Sequence, residues 1–445
     1  MRKDIFCFVL FLTVLLINVQ SVHAESKDKS SFSTLSLDEV LQTTLSQNPE
    51  LKAMQKDVEA TKAKVPQARS WDDPQIGVRL YQVPFNNNSG VMDIDYIVSQ
   101  KVPFPGKKKA ASQIVYHEYL HHLELLGGKG RSLIREVKTT YYDLFSVNRQ
   151  LEQNRQIEGI LKSLIQTAQA KLATGEVMAT DPIQGQTELA KVMVEREPLL
   201  ERKRTLEAKL KQLMLSPTDL EIHLPSKLEV PKWNIELEQL IEIAQVKNPS
   251  IKLAEHDIGQ KEWGLKAAKR EYLPDLNAQM EYVQRPASSP NANFGNAWTG
   301  EFMVNVPLFF QKKRKGVEQA EAELASAKYS HAAAKNDVLY KVKESYSKMK
   351  SAIRILEINH STLIPQTRQA YQVTSAAYIT GKANFINFLT AARNLFEAEM
   401  EYWKSYETAA DSIYELEEAI GVTREEWADL KNAELTNPST EKKSE

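Results

Sequence analysis

The sequence predicts an α+β membrane protein built from two internal repeats, and three observations carry this prediction. First, Leu37 to Pro74 and Leu237 to Pro274 match at a constant offset of 200 residues, a long-period repetition. Second, four stretches alternate apolar and polar residues, which is the pattern of β-strands with one apolar face. Third, only 16 of 445 residues are glycine, a composition that suits long uninterrupted helices.

The repetition continues through most of the chain. Asn48-Pro49 returns as Asn248-Pro249, and Thr174-Gly175 returns as Thr380-Gly381. Each unit is far longer than a solenoid repeat, which has about 20 to 50 residues. We therefore predict a first repeat over residues 25–215, a linker over 216–234, a second repeat over 235–420 and a disordered tail over 421–445.

Residues 1–24 predict a secretory signal peptide. A basic start precedes an apolar run from Ile5 to Val19, and Val22-His23-Ala24 has the form of a cleavage site. The alternative is a membrane anchor, which the run disfavours because it falls short of the roughly 20 residues that a spanning helix needs. The only cysteine, Cys7, lies in this segment. We therefore expect no disulfide, thiolate metal site or cysteine nucleophile in the mature chain.

Bulk composition excludes further classes of function. The net charge is -1 and charged residues of both signs make up 26% of the chain, so nothing indicates a nucleic-acid partner. Beyond the signal, no stretch approaches 18 consecutive apolar residues, the length that predicts a transmembrane helix. If the mature protein crosses a membrane, we expect it to do so with strands.

Each repeat opens with two helices. The amphipathic segments 37–47 and 237–247 both end at an Asn-Pro pair, because proline lacks a backbone donor and disfavours helix in the residue before it. Proline suits the first position of a helix. We therefore predict second helices that run to about Arg69 and Lys269.

Two hairpins follow, one in each repeat. The alternating stretches place strands at about 76–83, 91–102, 275–284 and 297–307. Turn-forming residues connect them in Pro84 to Gly90 and in Arg285 to Asn296. Strands of about 8 to 12 residues are near the length that crosses a bilayer when tilted.

Each hairpin ends in prolines and aromatic residues, followed by a basic cluster. The residues at these strand ends are Pro103 and Phe104 in the first repeat, and Pro307 and Phe309 in the second. Aromatic and basic residues together favour a membrane–water interface, and a plain surface turn is the alternative.

Long helices are predicted over residues 107–173 and 312–379. Heptad spacing is visible in Val137, Leu144 and Leu151, and about 67 residues give a helix of roughly 100 Å. Glycine-containing turns end both helices. Return helices follow over 177–215 and 383–420.

Four amphipathic strands cannot close a membrane barrel, and an open sheet edge cannot face lipid. The smallest outer-membrane barrels have about 8 strands. Three copies of the chain would supply 12, within the usual range. The paired long helices would then continue the barrel as a hollow tube, which is the architecture of a conduit.

The order of helices, hairpin, long helix, turn and return helix, twice over, resembles the TolC family of outer-membrane efflux proteins. The most specific matches are the helical turns at residues 170–181 and 376–387. The resemblance implies a homotrimer in outer-membrane lipid, with a 12-stranded β-barrel, four strands per chain, continued by a long α-helical coiled-coil tunnel in the periplasm.

The same resemblance implies partners and no catalysis. The channel would dock on a periplasmic adaptor (membrane fusion) protein and an inner-membrane pump of the RND or ABC class, without a cofactor or metal. The helical turns that would meet the adaptor contain Thr174, Gly175, Thr380 and Gly381. The cargo stays open, since metal ions, drugs, solvents and polypeptides all pass through tubes of this family.

The family's closed tip is held by polar contacts between neighbouring hairpins. By position, Asp181 matches the latch aspartate and Tyr378 the latch tyrosine, whereas Lys382 lies beside the place of the missing latch arginine. Asn387 and Thr390 stand where TolC has two aperture aspartates, so we expect weaker attraction of cations here. Asp181 as a helix N-terminal residue and Tyr378 as a packing residue are the alternatives.

Two other classes of function compete with the channel. His117-Glu118-Tyr119-Leu120-His121 matches the H-E-x-x-H pattern of zinc peptidases, but the extended pattern fails because Gly127 stands where a third histidine is required. His117, His121 and His122 could also form an incidental surface metal site. A non-conducting structural coiled coil would satisfy the heptads, yet it leaves the four strands unexplained.

Overall fold

A computed structural model describes residues 35–81, 93–216, 222–231, 233, 235–285, 287 and 292–427. The predicted signal peptide, the Pro84 to Gly90 turn and the tail from residue 428 lie outside these residues. The prediction of a mostly helical chain with four antiparallel strands is confirmed.

The elements follow the repeat. The first repeat contains α1 (Leu37–Gln47), α2 (Pro49–Arg69), β1 (Gln75–Tyr81), β2 (Asp93–Val102), α3 (Lys107–Ala173) and α4 (Thr180–Met214). The second contains α5 (Leu237–Lys247), α6 (Pro249–Arg270), β3 (Leu276–Gln284), β4 (Ala297–Val304), α7 (Phe310–Ile358), a π-helical turn (Asn359–Leu363), α8 (Ile364–Ile379) and α9 (Phe385–Ile420).

The Asn-Pro pairs separate helices as their chemistry requires. The Asn48 side chain accepts a hydrogen bond from the Leu51 amide at 3.0 Å, and the Asn248 side chain accepts one from Ser250 at 2.8 Å. Each asparagine thus caps the helix that begins with the following proline.

The second long helix differs from its prediction as one segment over 312–379. It begins at Phe310 and is interrupted by the π-helical turn just before Pro365. Proline in a helix interior has no amide to donate and crowds the carbonyl four residues earlier, and a π-helical turn is one way in which a helix absorbs that defect.

The sheet has the order β1-β2-β3-β4 with every pair antiparallel. One face is apolar and exposed, and on it Tyr96, Tyr282 and Trp298 form a row across three strands. The ring centroids of Tyr282 and Trp298 lie 4.9 Å apart. Strands β1 and β4 are the two edges of this sheet, and within the described chain neither edge pairs with a further strand.

The helices pack side by side in a layer, which we call the slab. The order of neighbouring helices differs between its two halves. Near the sheet the order of packing is α2, α3, α6 and α7, and farther away it is α4, α3, α9 and α7 with α8. Of the helices in the described part of the chain, α3 and α7 alone pack in both halves. Among the helices that the structure describes, none is both long enough and apolar enough to span a bilayer.

Residues 222–231, which we call the belt, pack against the helical core at mid-length. They receive hydrogen bonds from the hydroxyl groups of Tyr142, to the Glu229 carbonyl at 3.0 Å, and of Tyr406, to the Leu228 carbonyl at 2.5 Å. These contacts attach the segment that joins the repeats to α3 and α9.

The predicted start of the disordered tail, at residue 421, lies too early in the sequence. Val422 is buried, and residues 424–427 are helical. Glu425 joins Glu417 in an ion pair with Lys138, whose side chain is also buried. Because these contacts fix the chain to α3 and α9, residues 421–427 belong to the folded body.

Candidate functional site

Two glycine-containing turns form the end of the slab farthest from the sheet. Gly175 follows α3 with φ +74° and Gly381 follows α8 with φ +73°, a left-handed conformation that favours glycine. The Thr174 hydroxyl donates to the Lys171 carbonyl at 3.0 Å, and the Thr380 hydroxyl donates to the Ala376 carbonyl at 3.1 Å. We call these two turns, at residues 174–179 and 380–384, the tip.

Tyr378 lies inside the tip. It is 2% exposed, and its ring packs against those of Phe385 and Phe388, with centroid distances of 6.1 and 5.4 Å. Burial raises the pKa of its hydroxyl, and the nearby carboxylates of Asp181 and Glu176 raise it further. Tyr378 therefore packs as a core residue within one chain, and a latch role remains a prediction.

The other predicted tip residues lie on the surface or at a helix start. Asp181 is half-buried in the first turn of α4, where a carboxylate interacts favourably with the helix dipole. Lys382, Asn387 and Thr390 are exposed. The Asn387 amide donates to the side chain of Asn384, which caps α9, at 3.1 Å, so this backbone position has a structural role.

The polar face of the sheet contains an ion-pair network that the sequence did not reveal. Arg79 on β1 lies 3.6 Å from Asp95 on β2 and 3.7 Å from Glu281 on β3. The Asp95 side chain is 1% exposed. Alternation assigns all three to the polar face, but only the strand register brings them together.

The two strand ends predicted at the membrane interface differ in structure. The Phe104 amide donates to Asp275 Oδ1 at 2.9 Å, and Lys107 Nζ lies 2.9 Å from the same oxygen. Asp275 therefore ties the end of β2 to the start of β3, close to Pro103. At the corresponding end of β4 the Asn305 amide donates to the Asp275 carbonyl at 3.0 Å, but Phe309, after Pro307, is 82% exposed.

A second group of charges, with half-buried carboxylates, lies at mid-length between three helices. Arg202 on α4 hydrogen-bonds to Glu407 on α9 and lies 3.7 Å from Asp143 on α3. Asp411 on α9 completes this acid cluster. Burial raises the pKa of Asp143 to about 7, and Glu407 and Asp411 raise it as well, whereas Arg202 and Lys209 oppose them. The sequence did not predict this cluster, because its members are far apart in the chain and come from different helices.

The side chains of the H-E-x-x-H segment contact two different helices, α2 and α6. A Cβ on Gly259 of α6 would lie only 2.3 to 2.8 Å from the His117 ring, so the ring fills the space that this glycine leaves. Glu118 points to α2, where Lys64 lies 3.8 Å away. His121 lies 3.9 Å from Asp257. Across the described ranges, no group of three or more potential ligands is arranged to hold a metal ion.

Comparison with known proteins identifies the family. The sequence matches the outer membrane efflux protein family over residues 40–214 and 240–422. These two segments cover most of the chain and correspond to its two repeats. No curated protein matched the sequence significantly.

Solved structures share the fold at low sequence identity. A structure of CusC, described for its transmembrane channel formation, has a TM-score of 0.75 at 16% identity and covers 91% of this chain and 96% of its own. The outer membrane protein VceC of Vibrio cholerae has a TM-score of 0.72 at 15% identity, covering 87% of this chain and 96% of its own.

The Campylobacter jejuni CmeC outer membrane channel has a TM-score of 0.72 at 14% identity, covering 94% of this chain and 97% of its own. Because 87–97% of each chain is covered, these structures share the fold of the sheet and the helices together. The chain therefore belongs to the outer membrane efflux protein family, whose members are outer-membrane channels and not enzymes.

Proposed function

We propose that this protein is the outer-membrane channel component of a tripartite efflux or type I secretion system. It forms a passive trimeric conduit from the periplasm to the exterior, docked to a periplasmic adaptor and an inner-membrane pump. The observation that carries the proposal is the direct junction between an open two-faced sheet and a slab of long helices.

The sheet supports a barrel made of several chains. Its outer face is apolar and exposed, whereas its other face holds the Arg79, Asp95 and Glu281 network. An apolar outside and a polar inside are the two surfaces of a membrane barrel. Because an open edge cannot face lipid, other copies must pair with β1 and β4, and three copies give 12 strands.

The helices support a tube made of the same three copies. Helix α3 has 67 residues and is therefore about 100 Å long. Large apolar residues remain exposed on the flanks of the slab, namely Val194 on α4, Tyr329 and Tyr340 on α7, and Val373 on α8. In the proposed tube, neighbouring copies would cover these side chains.

The tip is the surface we assign to the adaptor. Its turns lie at the far end from the sheet, and Met178 and Ile379 beside them are exposed. Thr174, Gly175, Thr380 and Gly381 shape these turns. The exposed Lys382, Asn387 and Thr390 bring no carboxylate to the predicted aperture, so we propose that it attracts cations weakly.

Native mass measurement of the detergent-solubilised protein tests the assembly. We expect three copies per particle, and a stable monomer would contradict the proposal. For docking, a photo-crosslinking residue in place of Glu176 should capture an adaptor in cells. The same residue in place of Lys404, at mid-length on α9, should not.

A further inference from the structure

The long helix of the second repeat is one residue longer than that of the first, over the stretch that leads to the tip. Leu151 to Asn154 match Leu356 to Asn359 at an offset of 205 residues, whereas Thr174-Gly175 match Thr380-Gly381 at an offset of 206. The π-helical turn at Asn359–Leu363 lies between these two matches. Its hydrogen bonds run from residue i to i+5 and so enclose one residue more than an α-turn. The turn therefore holds the inserted residue.

Two buried asparagines occupy equivalent positions where this stretch begins. Asn154 on α3 is fully buried, and Asn359 is 5% exposed. Asn154 Nδ2 donates to the Val192 carbonyl on α4 at 3.0 Å, and Asn359 Nδ2 donates to Ser405 Oγ on α9 at 3.1 Å. Each asparagine thus bonds its own chain segment to the return helix of the same hairpin. We call this level of the slab the polar level.

The polar level separates two apolar cores. On α3, Leu151 belongs to the core at mid-length and Ile157 to the core near the tip, which we call the tip core. On α9 the same change occurs between Trp403 and Met400. Because the two cores are separate clusters, a movement of one against the other disrupts less packing than a movement within either core.

The tip core joins both hairpins of the chain into one body. It contains side chains from α3, α4, α8 and α9. A Cβ on Gly185 of α4 would lie 2.8 Å from the Ile165 side chain of α3 and 3.2 Å from the Phe385 ring of α9, so these helices meet closely. Lys171 Nζ on α3 donates to the Tyr378 carbonyl on α8. A tilt of the tip relative to the belt should therefore move both hairpins together.

The second hairpin has a break at the polar level that the first lacks. Helix α3 is continuous there, whereas α7 ends at Ile358 and α8 begins at Ile364, after the π-helical turn. A continuous helix bends gently. A turn of π-helix holds more residues than a turn of α-helix, so a partial conversion between the two changes the length of the segment. Because α9 lies between α3 and α8, a tilt about α3 needs such a change of length.

We propose that the π-helical turn at Asn359–Leu363 is a hinge, at which the tip core tilts as one body relative to the belt while α3 bends at constant length. Pro365 keeps the turn in place, because its missing amide would be a defect in a regular helix. The hinge depends only on contacts within one chain. Its use rests on the proposed function: the tip can follow the angle of a docked adaptor without breaking the contact between Lys171 and Tyr378.

Distances between two spin labels along each long helix test the hinge. Asp337→Cys with Gln369→Cys spans the π-helical turn, and Ser132→Cys with Ser163→Cys occupies the corresponding positions on α3; all four residues are exposed. In a Cys7→Ser background no other cysteine is present. Expression together with an excess of cysteine-free chains ensures that distances within one chain dominate. At 1.5 Å per residue the two spans are about 48 and about 47 Å.

The two label pairs should differ in the spread of their distances. We expect a distribution across the π-helical turn that is at least about twice as broad as the one along α3, because the turn marks a hinge and α3 is continuous. Equal widths would overturn the hinge. This comparison needs no variant of the turn itself.

Removal of the inserted residue provides a matched variant. Deletion of Ser361 together with Pro365→Ala gives the second repeat the length of the first and permits a continuous α-helix. The distribution between the labels at 337 and 369 should then narrow to the width found for α3. Pro365→Ala alone keeps the insertion and should keep the broad distribution.

The outcomes separate the hinge from the proposed function. A distribution that stays broad in a folded deletion variant would overturn the hinge. A broad distribution that narrows on deletion, in a protein that forms no conducting channel, would support the hinge and contradict the proposed function.

Discussion

The ammonium group of Lys171 lies 4.9 Å from the ring centroid of Tyr378, and its Nζ donates to the Tyr378 carbonyl oxygen at 3.1 Å. One side chain thus joins the end of α3 to the end of α8. It adds a second donor to a carbonyl that already accepts from the Gly381 amide at 3.2 Å, and it places a cation against an aromatic face. The two hairpins of one chain are therefore fastened at the tip.

Removing this contact should loosen the tip without unfolding the body. For Lys171→Ala we expect local opening to become easier by about 1–2 kcal/mol, since one charged hydrogen bond and one cation–π contact are lost. Hydrogen exchange of the amides in α8 and the first turn of α9 measures this. Lys191→Ala removes only an exposed pair with Glu188 and should change exchange little, while unchanged exchange in Lys171→Ala would refute the fastening role.

Variants of Tyr378 distinguish a packing role of this residue from a latch role. Its hydroxyl is buried without a hydrogen-bond partner among the described residues, so Tyr378→Phe should be neutral or slightly stabilising within one chain. Tyr378→Ala should cost about 3–5 kcal/mol because it empties a packed site. Thermal unfolding measures both.

The same two variants decide the gating question. If Tyr378→Phe is as stable as the natural protein yet raises channel conductance, its hydroxyl bonds to another copy and the latch prediction holds. If conductance changes only in Tyr378→Ala, the residue acts through packing alone.

The acid cluster predicts a pH dependence of stability. The pKa of Asp143 lies at about 7 in the folded chain, against an ordinary value of 3.8. The folded state thus retains a proton that the unfolded chain loses above about pH 4. Stability should fall as pH rises from about 4 to about 7, by a few kcal/mol at most, and then level off.

Asp143→Asn mimics the protonated form and tests this. The variant should be more stable than the natural protein at pH 8, and its stability should depend less on pH between 4 and 7. Denaturant titrations at pH 5 and pH 8 give both quantities. The exposed Asp57→Asn serves as the control, and an identical pH dependence in all three proteins would rule out the cluster as the cause.

Arg79 should govern the charge of the barrel interior. Arg79→Gln removes the cation between Asp95 and Glu281, and a trimer loses three positive charges, so the pore should become more selective for cations. The reversal potential across a salt gradient should shift toward the equilibrium potential of the cation. Arg204→Gln changes an exposed charge on α4 and should leave the potential unchanged. No shift in Arg79→Gln would mean that the polar face does not line the pore.

Much of this fold follows from local patterns. Period-two alternation predicts which face of each strand is apolar, and the Asn-Pro pairs predict where α1 and α5 end. The ion pairs of Arg79 required the strand register, and Arg202 required knowing which helices are neighbours. The start of the tail was misplaced because Val422 and Glu425 are held by distant partners such as Lys138, which local composition does not reveal.

The central claim is that this chain forms a water-filled conduit, and single-channel recording in a planar lipid bilayer tests it most directly. Purified protein should insert to give discrete, reproducible conductance steps, and the Arg79→Gln variant should alter their ion selectivity. Folded protein that inserts into the bilayer without any conductance steps would contradict the account.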